Sequence, residues 1–355
     1  MKILHTADLH IDSPLTSHLS ADKVRERRAE LFSTFSAMVE SAAECGIKIM
    51  IIAGDLFDSD KITKTARKRT LALISAHKEI SFFYLPGNHE EMGLIAGEEG
   101  LPENLFLFGE DWSYFASGDL VIAGRSATSQ DMFETLSLPE DKRNIVVLHG
   151  ELRDRSDEGG VIGRRDAVGK NIDYLALGHY HSYSAEKIDD RCTAVYAGTP
   201  EGRGFDELGD KGFVLLDSSE AGITHRFVPF ARRRLHEVEV DLTDAADLYE
   251  LERRAASALS AIPDSDLTRL ILTGYRQVGF SVDTAALMAR FGRDFYYFEV
   301  KDESRLKISA ADYERDLSLK GEFIRLVMAD TTLSDKKKEE IIACGLAALL
   351  GEGTI

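Results

Sequence analysis

The chain has 355 residues, too many for one ordinary core, so two or more domains are expected. It is 44% hydrophobic and 29% charged with a formal net charge of −18, a soluble globular composition that excludes coating nucleic acid by bulk positive charge. MKILHTADLH turns polar too early for a signal peptide, no apolar run approaches the ~20 residues of a membrane helix, and the three cysteines (Cys45, Cys192, Cys344) have no pairing or zinc spacing, so the expected setting is reducing and cytoplasmic.

Along residues 1–230 short apolar runs alternate with helical patterns. KILHTA, IKIMIIAG, ISFFYLPG, NLFLFG, LVIAG, NIVVLHG, YLALGH, TAVYAG and GFVLLD each read as a strand. A helix is expected over about 20–45, capped by Ser20 and ended by Gly46, with Val24, Leu31, Phe35, Met38, Val39 and Ala42 on one stripe. A second is expected over about 63–79. This is a layered α/β domain. RERR (25–28), KTARKR (64–69), GRR (163–165) and RRR (232–234) are the basic runs, each most simply a solvated face.

Beyond ARRR the texture changes. HEVEVDL, TRLILTGY and FYYFEVKD read as strands, with helices in DLYELERRAASALSAI and DTAALMARFG, so 231–310 is expected to be a small α+β domain. The tail, 311–355, reads as two amphipathic helices, the second starting near Ser334. GRRDAVGKN lacks the spacing of a P-loop.

The strand ends carry the chemistry. KILHTADLH ends in Asp8 and His10, IMIIAGDLFD in Asp55, FFYLPGNHE in Asn88 and His89, IVVLHG in His149 and YLALGHYH in His179 and His181. Five of the ten histidines thus follow strands, where the loops of an α/β sheet converge on ligands. Four imidazoles, two carboxylates and one amide oxygen, without thiolate, suit a pair of octahedral ions, Mn²⁺ first and Fe²⁺ second, better than structural zinc. Residues two apart in DxH and HxH point to one side of an extended segment. Two close ions need a shared anion, and Asp55, alone at its strand end, is the natural bridge.

D-x-H, G-D-x-x-D, G-N-H-E, a strand ending in H-G, and G-H-x-H, in this order over 8–181, resemble the signature of calcineurin-like metallophosphoesterases. KILHTADLHID, GDLFDSDKI and YAGTPEGRGFDELGDKGFVLLD (196–217) are similar to SbcD-type (YhaO-like) DNA repair exonucleases, the nuclease half of SbcC–SbcD or Mre–Rad machinery. The resemblance implies a four-layer α/β/β/α sandwich with a small α+β capping domain and a C-terminal helical tail. It implies that Asp8, His10 and His181 hold one metal with Asp55 bridging, and that Asn88, His149 and His179 complete the other. A bridging hydroxide would then attack the phosphodiester. His89 would bind no metal and would assist the leaving oxygen. Glu90, where many relatives carry Asp, would orient His89 from behind, and Asp58 stands where some carry a second substrate-facing His.

The partners implied are DNA, a coiled-coil SbcC/Rad-type ATPase gripped by the tail, and a homodimer through helices 20–45 and 63–79, although packing onto the sheet explains the stripes of those two helices equally well. Two other functions compete: a phosphoesterase for small nucleotides or phosphoproteins, and a metal-binding scaffold without catalysis, which would have lost ligands. His5 reads as an ordinary core residue, and Asp12 and Glu201 as turn residues.

Overall fold

The computed structural model describes residues 1–15, 19–58, 62–86, 100–129, 131–155, 160–276, 280–307 and 315–350. The chain parts once, into compact units Met1–Arg234 and Leu235–Ile355. The segments expected separately as 231–310 and 311–355 fall almost wholly in the second unit.

The strands of the first unit are β1 (Lys2–Thr6), β2 (Ile49–Ala53), β3 (Ser81–Leu85), β4 (Leu105–Leu107), β5 (Ser113–Ser117), β6 (Leu120–Gly124), β7 (Arg143–His149), β8 (Glu151–Arg153), β9 (Val161–Gly163), β10 (Tyr174–Gly178), β11 (Ser184–Lys187), β12 (Thr193–Tyr196), β13 (Gly212–Ser219) and β14 (Gly222–Pro229). Twelve of them build two six-stranded sheets, ordered β14-β13-β1-β2-β3-β4 and β11-β12-β10-β7-β6-β5. Strands β1 to β4 run parallel, as do β6, β7, β10 and β12. The central runs are largely apolar because both faces of each sheet are covered; all five residues of β2 and of β10 are buried.

The two sheets face each other across a core that includes Ile3, Ile51, Phe83, Ile122, Val147, Ala176 and Val214. Helices α1 (Ala21–Glu44) and α2 (Lys64–Ala76) cover the outer face of the first sheet, where Phe35, Met38 and Val39 meet Met50, Ile52 and Phe82. Ser20 caps α1 by accepting from the Lys23 N–H, and Thr63 caps α2 by accepting from Ala66. The outer face of the second sheet carries a thinner layer, a 3₁₀ turn at Met132–Glu134 and the short helix α3 (Arg164–Ala167), over Val146, Leu148, Leu175 and Leu177. This is the α/β/β/α sandwich. Within the two six-stranded sheets, the strands that apolar runs do not announce, β5, β11 and β14, are all edges. An edge strand faces water, so its side chains need no apolar pattern; all four residues of β11 are exposed.

In the second unit, β15 (Leu235–Asp241), α4 (Leu248–Leu259), β16 (Leu267–Thr273), α5 (Thr284–Phe291) and β18 (Tyr297–Asp302) form a parallel sheet ordered β15-β16-β18, while β17 (Tyr275–Arg276) pairs with β19 (Arg305–Leu306). Val240, Leu251, Ala255, Leu270, Leu287, Phe291 and Phe298 fill its core. Helices α6 (Leu319–Ala329) and α7 (Asp335–Leu350) pack through Ile324, Ile342 and Leu346. No helix among the described residues is long and apolar enough to cross a membrane.

Candidate metal centre

The strand ends of the two sheets meet. Beyond β1 and β2 the loops stay together: Asp8 N–H donates to Gly54 O (3.1 Å), His10 N–H to Asp55 O (3.0 Å) and Ile11 N–H to Leu56 O (2.9 Å). In the other sheet, Gly178 stands beside His149 in register. The His179 N–H, just past β10, donates to both oxygens of Asp8 (3.0 and 3.1 Å), which ties one sheet's loop to the other's. Asp8, His10, Asp55 and His179 all take positive φ, at 51°, 46°, 47° and 109°. Non-glycine residues rarely adopt this backbone, and such strain collects at functional sites.

Two glycines make room for His149. A Cβ on Gly178 would lie 1.9 Å from Ala53 O, and one on Gly54 would lie 1.9 Å from His149 Nδ1. The His149 ring, which is almost fully buried, hydrogen-bonds Ala53 O through Nδ1 at 3.0 Å. Nδ1 therefore carries the proton, and Nε2 presents a lone pair to the site. Burial keeps this ring neutral, against the pull of Asp55 and of Ala53 O.

Two donor groups close enough to hold an ion result: Asp8, His10 and His181, and Asp8, Asp55 and His149, each with its ligand atoms within 4.8 Å of one another. Asp8 belongs to both groups, and Asp55 Oδ2 lies 3.8 Å from His10 Nε2 and 3.6 Å from His149 Nε2. Its other oxygen is buried with no hydrogen-bond partner among the described residues. Two buried carboxylates side by side are costly without a cation. Burial, with Asp55 adding to it, pushes the Asp8 carboxyl up to about 7 against the pull of His181.

The histidines make the same point. His10 and His181 aim their Nε2 atoms at each other, 3.2 Å apart. Each is turned by a carboxylate at its other nitrogen: His181 Nδ1 donates to Glu207 Oε1 at 2.6 Å, and His10 Nδ1 lies 2.9 Å from Asp58 Oδ1, close but short of hydrogen-bond alignment. With protons on both Nδ1 atoms, the facing Nε2 lone pairs need a proton or a metal ion between them. Carboxylate–histidine–metal is the usual way a ligand ring is fixed. These donors fit a pair of divalent cations.

Sequence reasoning places Asp8, His10, Asp55, His149 and His181 here, and the structure brings them together. His179 stands beside the two groups, exposed, its ring 5.6 Å from that of His149. Asn88, His89 and Glu90 lie outside the described residues. Asp58, at the position where some relatives carry a second substrate-facing His, lies beside His10 and accepts from Arg203 Nη1 at 2.8 Å.

Arg203, Glu207 and Lys211 went unread. Arg203 donates to Glu207 Oε1 through Nε and Nη2 (3.1 and 3.0 Å) while holding Asp58, so one guanidinium joins the carboxylates behind both facing histidines. Lys211 Nζ donates to the His181 carbonyl at 2.7 Å. Although burial opposes it, His181 and Arg203 hold the Glu207 carboxyl down at about 2, and Glu207 in turn raises the His181 imidazole against burial. The one signal was the charged spacing in EGRGFDELGDK, four residues apart, in a segment too rich in glycine for a helix. Glu201, expected in a turn, is instead buried and accepts from Thr34 Oγ1 (2.9 Å), Arg27 Nη1 (3.0 Å) and Arg232 N–H (2.8 Å), fastening this loop to α1. His5 packs in the core with Nδ1 2.9 Å from the Tyr174 hydroxyl.

Glu207→Gln is expected to weaken metal binding roughly 10–100-fold while leaving the fold intact, since the amide is a poorer acceptor for the His181 N–H. Titration calorimetry with Mn²⁺ measures it, and an unchanged affinity removes Glu207 from this role.

Residues 1–183 match the calcineurin-like phosphoesterase family. The chain is 27% identical over 299 residues to the uncharacterized metallophosphoesterase YhaO of Bacillus subtilis, covering 77% of this chain and 72% of that protein. It is 26% identical over 274 residues to the DNA double-strand break repair protein Mre11 of Methanopyrus kandleri (68% of this chain, 59% of that one) and 28% identical over 239 residues to Mre11 of Sulfurisphaera tokodaii (61% and 60%). The chain thus spans about three-fifths of the length of these two Mre11 proteins.

Proposed function

Since this chain belongs to the calcineurin-like phosphoesterase family, its chemistry is metal-dependent phosphoester hydrolysis, and we propose that its substrate is DNA, cleaved as an exo- or endonuclease of SbcD type. The observation that carries the chemistry is the pair of facing imidazoles, His10 and His181, set against the buried carboxylates of Asp8 and Asp55. The names of the Mre11 relatives support the DNA reading, and so does a second unit of 121 residues (235–355), which a small-molecule phosphoesterase does not need.

In this reading Asp8, His10 and His181 hold one ion, His149, His179 and Asn88 the other, and Asp55 lies between. The ions, Mn²⁺ by the oxygen and imidazole donors, would supply Lewis-acid charge at the phosphoryl group and an activated water. The chain's own part is orientation. Glu207 holds the proton of His181 away from the site, Ala53 O does so for His149, Asp58 lies beside His10 Nδ1, and Arg203 keeps the two carboxylates in place. His89 protonates the leaving oxygen, with Glu90 orienting it.

The test is a panel with Mn²⁺: labelled duplex DNA, single-stranded DNA and bis-nitrophenyl phosphate, each with and without an SbcC-type ATPase. DNA cleavage at rates above the generic diester is expected, with stimulation by the ATPase. Hydrolysis of the generic diester and of nucleotides alone would replace the DNA reading by the small-substrate one, which the net charge of −18 favours. In the same panel His89→Ala is expected to keep both metals and to lose about 10²–10⁴-fold in rate, as removal of a general acid does; loss of a metal would show it to be a ligand.

A further inference from the structure

Two basic runs that the metal centre does not use, RERR (25–28) and KTARKR (64–69), meet in the folded chain. A cavity of about 300 Å³ opens between the N-terminal halves of α1 and α2, and Arg25, Arg28 and Arg69 all line it. Ile11 and Asp12, which follow His10 directly, line it too, so it adjoins the metal centre.

Arg28 is the most firmly held of the three guanidiniums. Arg28 Nη2 donates to the Asp12 carbonyl at 3.2 Å and also to the Asp12 carboxylate. The second oxygen of that carboxylate accepts from the Thr63 N–H at 3.1 Å, which ties the start of α2 to the same point. Arg25 pairs with Asp22, one turn back on α1. The Arg69 guanidinium lies over the Phe32 ring, 4.1 Å from its centroid. A guanidinium has five N–H donors, and one carboxylate engages at most two of them. Arg25 and Arg28 therefore keep donors for a further anion, and stacking on a ring face leaves the in-plane donors of Arg69 available. Three guanidiniums against two carboxylates, Asp12 in the lining and Asp22 paired with Arg25, leave the cavity cationic in a chain of net charge −18. The end of α2 is not the attractor, because Thr63 Oγ1 already caps the Ala66 N–H.

We propose that this cavity docks a backbone phosphate of the nucleic-acid strand flanking the one being cleaved. It rests on the reading of DNA as substrate. A phosphodiester strand carries an anion at every nucleotide, so a strand threaded through the metal centre brings a second phosphate to its rim. An acidic protein gains its hold on such a strand from local arginine clusters, as it cannot from bulk charge.

The experiment is fluorescence anisotropy of a phosphorothioate-protected duplex over a range of salt concentrations, with the parent protein, an Arg25→Gln/Arg69→Gln variant and an Arg25→Lys/Arg69→Lys variant. Loss of this phosphate contact is expected to make the slope of log K against log salt shallower by about 1 and to lower affinity roughly 5-fold near 0.15 M salt. The lysine variant restores most of the slope, and bis-nitrophenyl phosphate hydrolysis stays at the parent rate in both. A glutamine variant with the parent slope, in a protein that does cleave DNA, overturns the docking site alone. A parent protein that neither binds nor cleaves DNA overturns the DNA reading, and the docking site with it.

Discussion

Asp55→Asn is expected to cost the centre its metal pair and to lower phosphodiester hydrolysis roughly 10³-fold or more, as the loss of several kcal/mol of charge stabilisation implies. Asp55 Oδ2 is placed between His10 Nε2 and His149 Nε2, and its Oδ1 is buried with no partner among the described residues. Asparagine keeps the shape, loses the charge and turns an N–H toward one of the groups that needs a cation. In the metal-free protein the same change relieves the crowding of two buried carboxylates, so its Tm is expected to equal or exceed that of the parent. Elemental analysis, kcat/KM on bis-nitrophenyl phosphate and a melting curve measure the three effects. Two-ion occupancy at the parent level would show that Asp55 is not the bridge.

Gly54→Ala is expected to displace His149 and to destabilise the first unit by about 2–5 kcal/mol, the sum of an overpacked core and a strained backbone. Gly54 has φ +100°, and its Cβ would fall 1.9 Å from His149 Nδ1. The ring cannot retreat without giving up its hydrogen bond to Ala53 O. In a domain of this size the Tm is expected to fall by roughly 5–15 °C, with metal binding lost alongside. Gly46→Ala is the control: Gly46 also has positive φ, +70°, but nothing lies within 4 Å of the added methyl. That variant loses about 1 kcal/mol from backbone strain alone and keeps its metals. Equal losses in the two variants would assign the whole effect to backbone strain and none to the His149 ring.

Much of the first unit was legible because its central strands are covered on both faces and so are largely apolar. β2, β7 and β10 stand out as runs, and each hands over to a polar group where its backbone leaves the sheet. The edge strands β5, β11 and β14 were not legible, since one side of an edge belongs to water. The second unit read well for a different reason: β15, α4, β16, α5 and β18 alternate at short range, so each change of period lies within one local window.

The sequence by itself determined the order in which Asp, Asn and His residues stand at the ends of β1, β2, β3, β7 and β10, the order that points to the calcineurin-like phosphoesterase family. The tertiary structure decided how they are held. Glu207 stands behind His181 and Asp58 behind His10, with Arg203 binding both carboxylates, because the glycine-rich segment after β12 is carried back by the antiparallel pairing of β13 with β1. The same tertiary packing placed Arg25, Arg28 and Arg69 around one cavity although about forty residues separate the two runs. Local periodicity reports what each segment buries. It does not report which distant segment lies beside it, since that follows from strand order and sheet packing, and the contacts of Glu207 with His181 and of Arg203 with Asp58 are of this long-range kind.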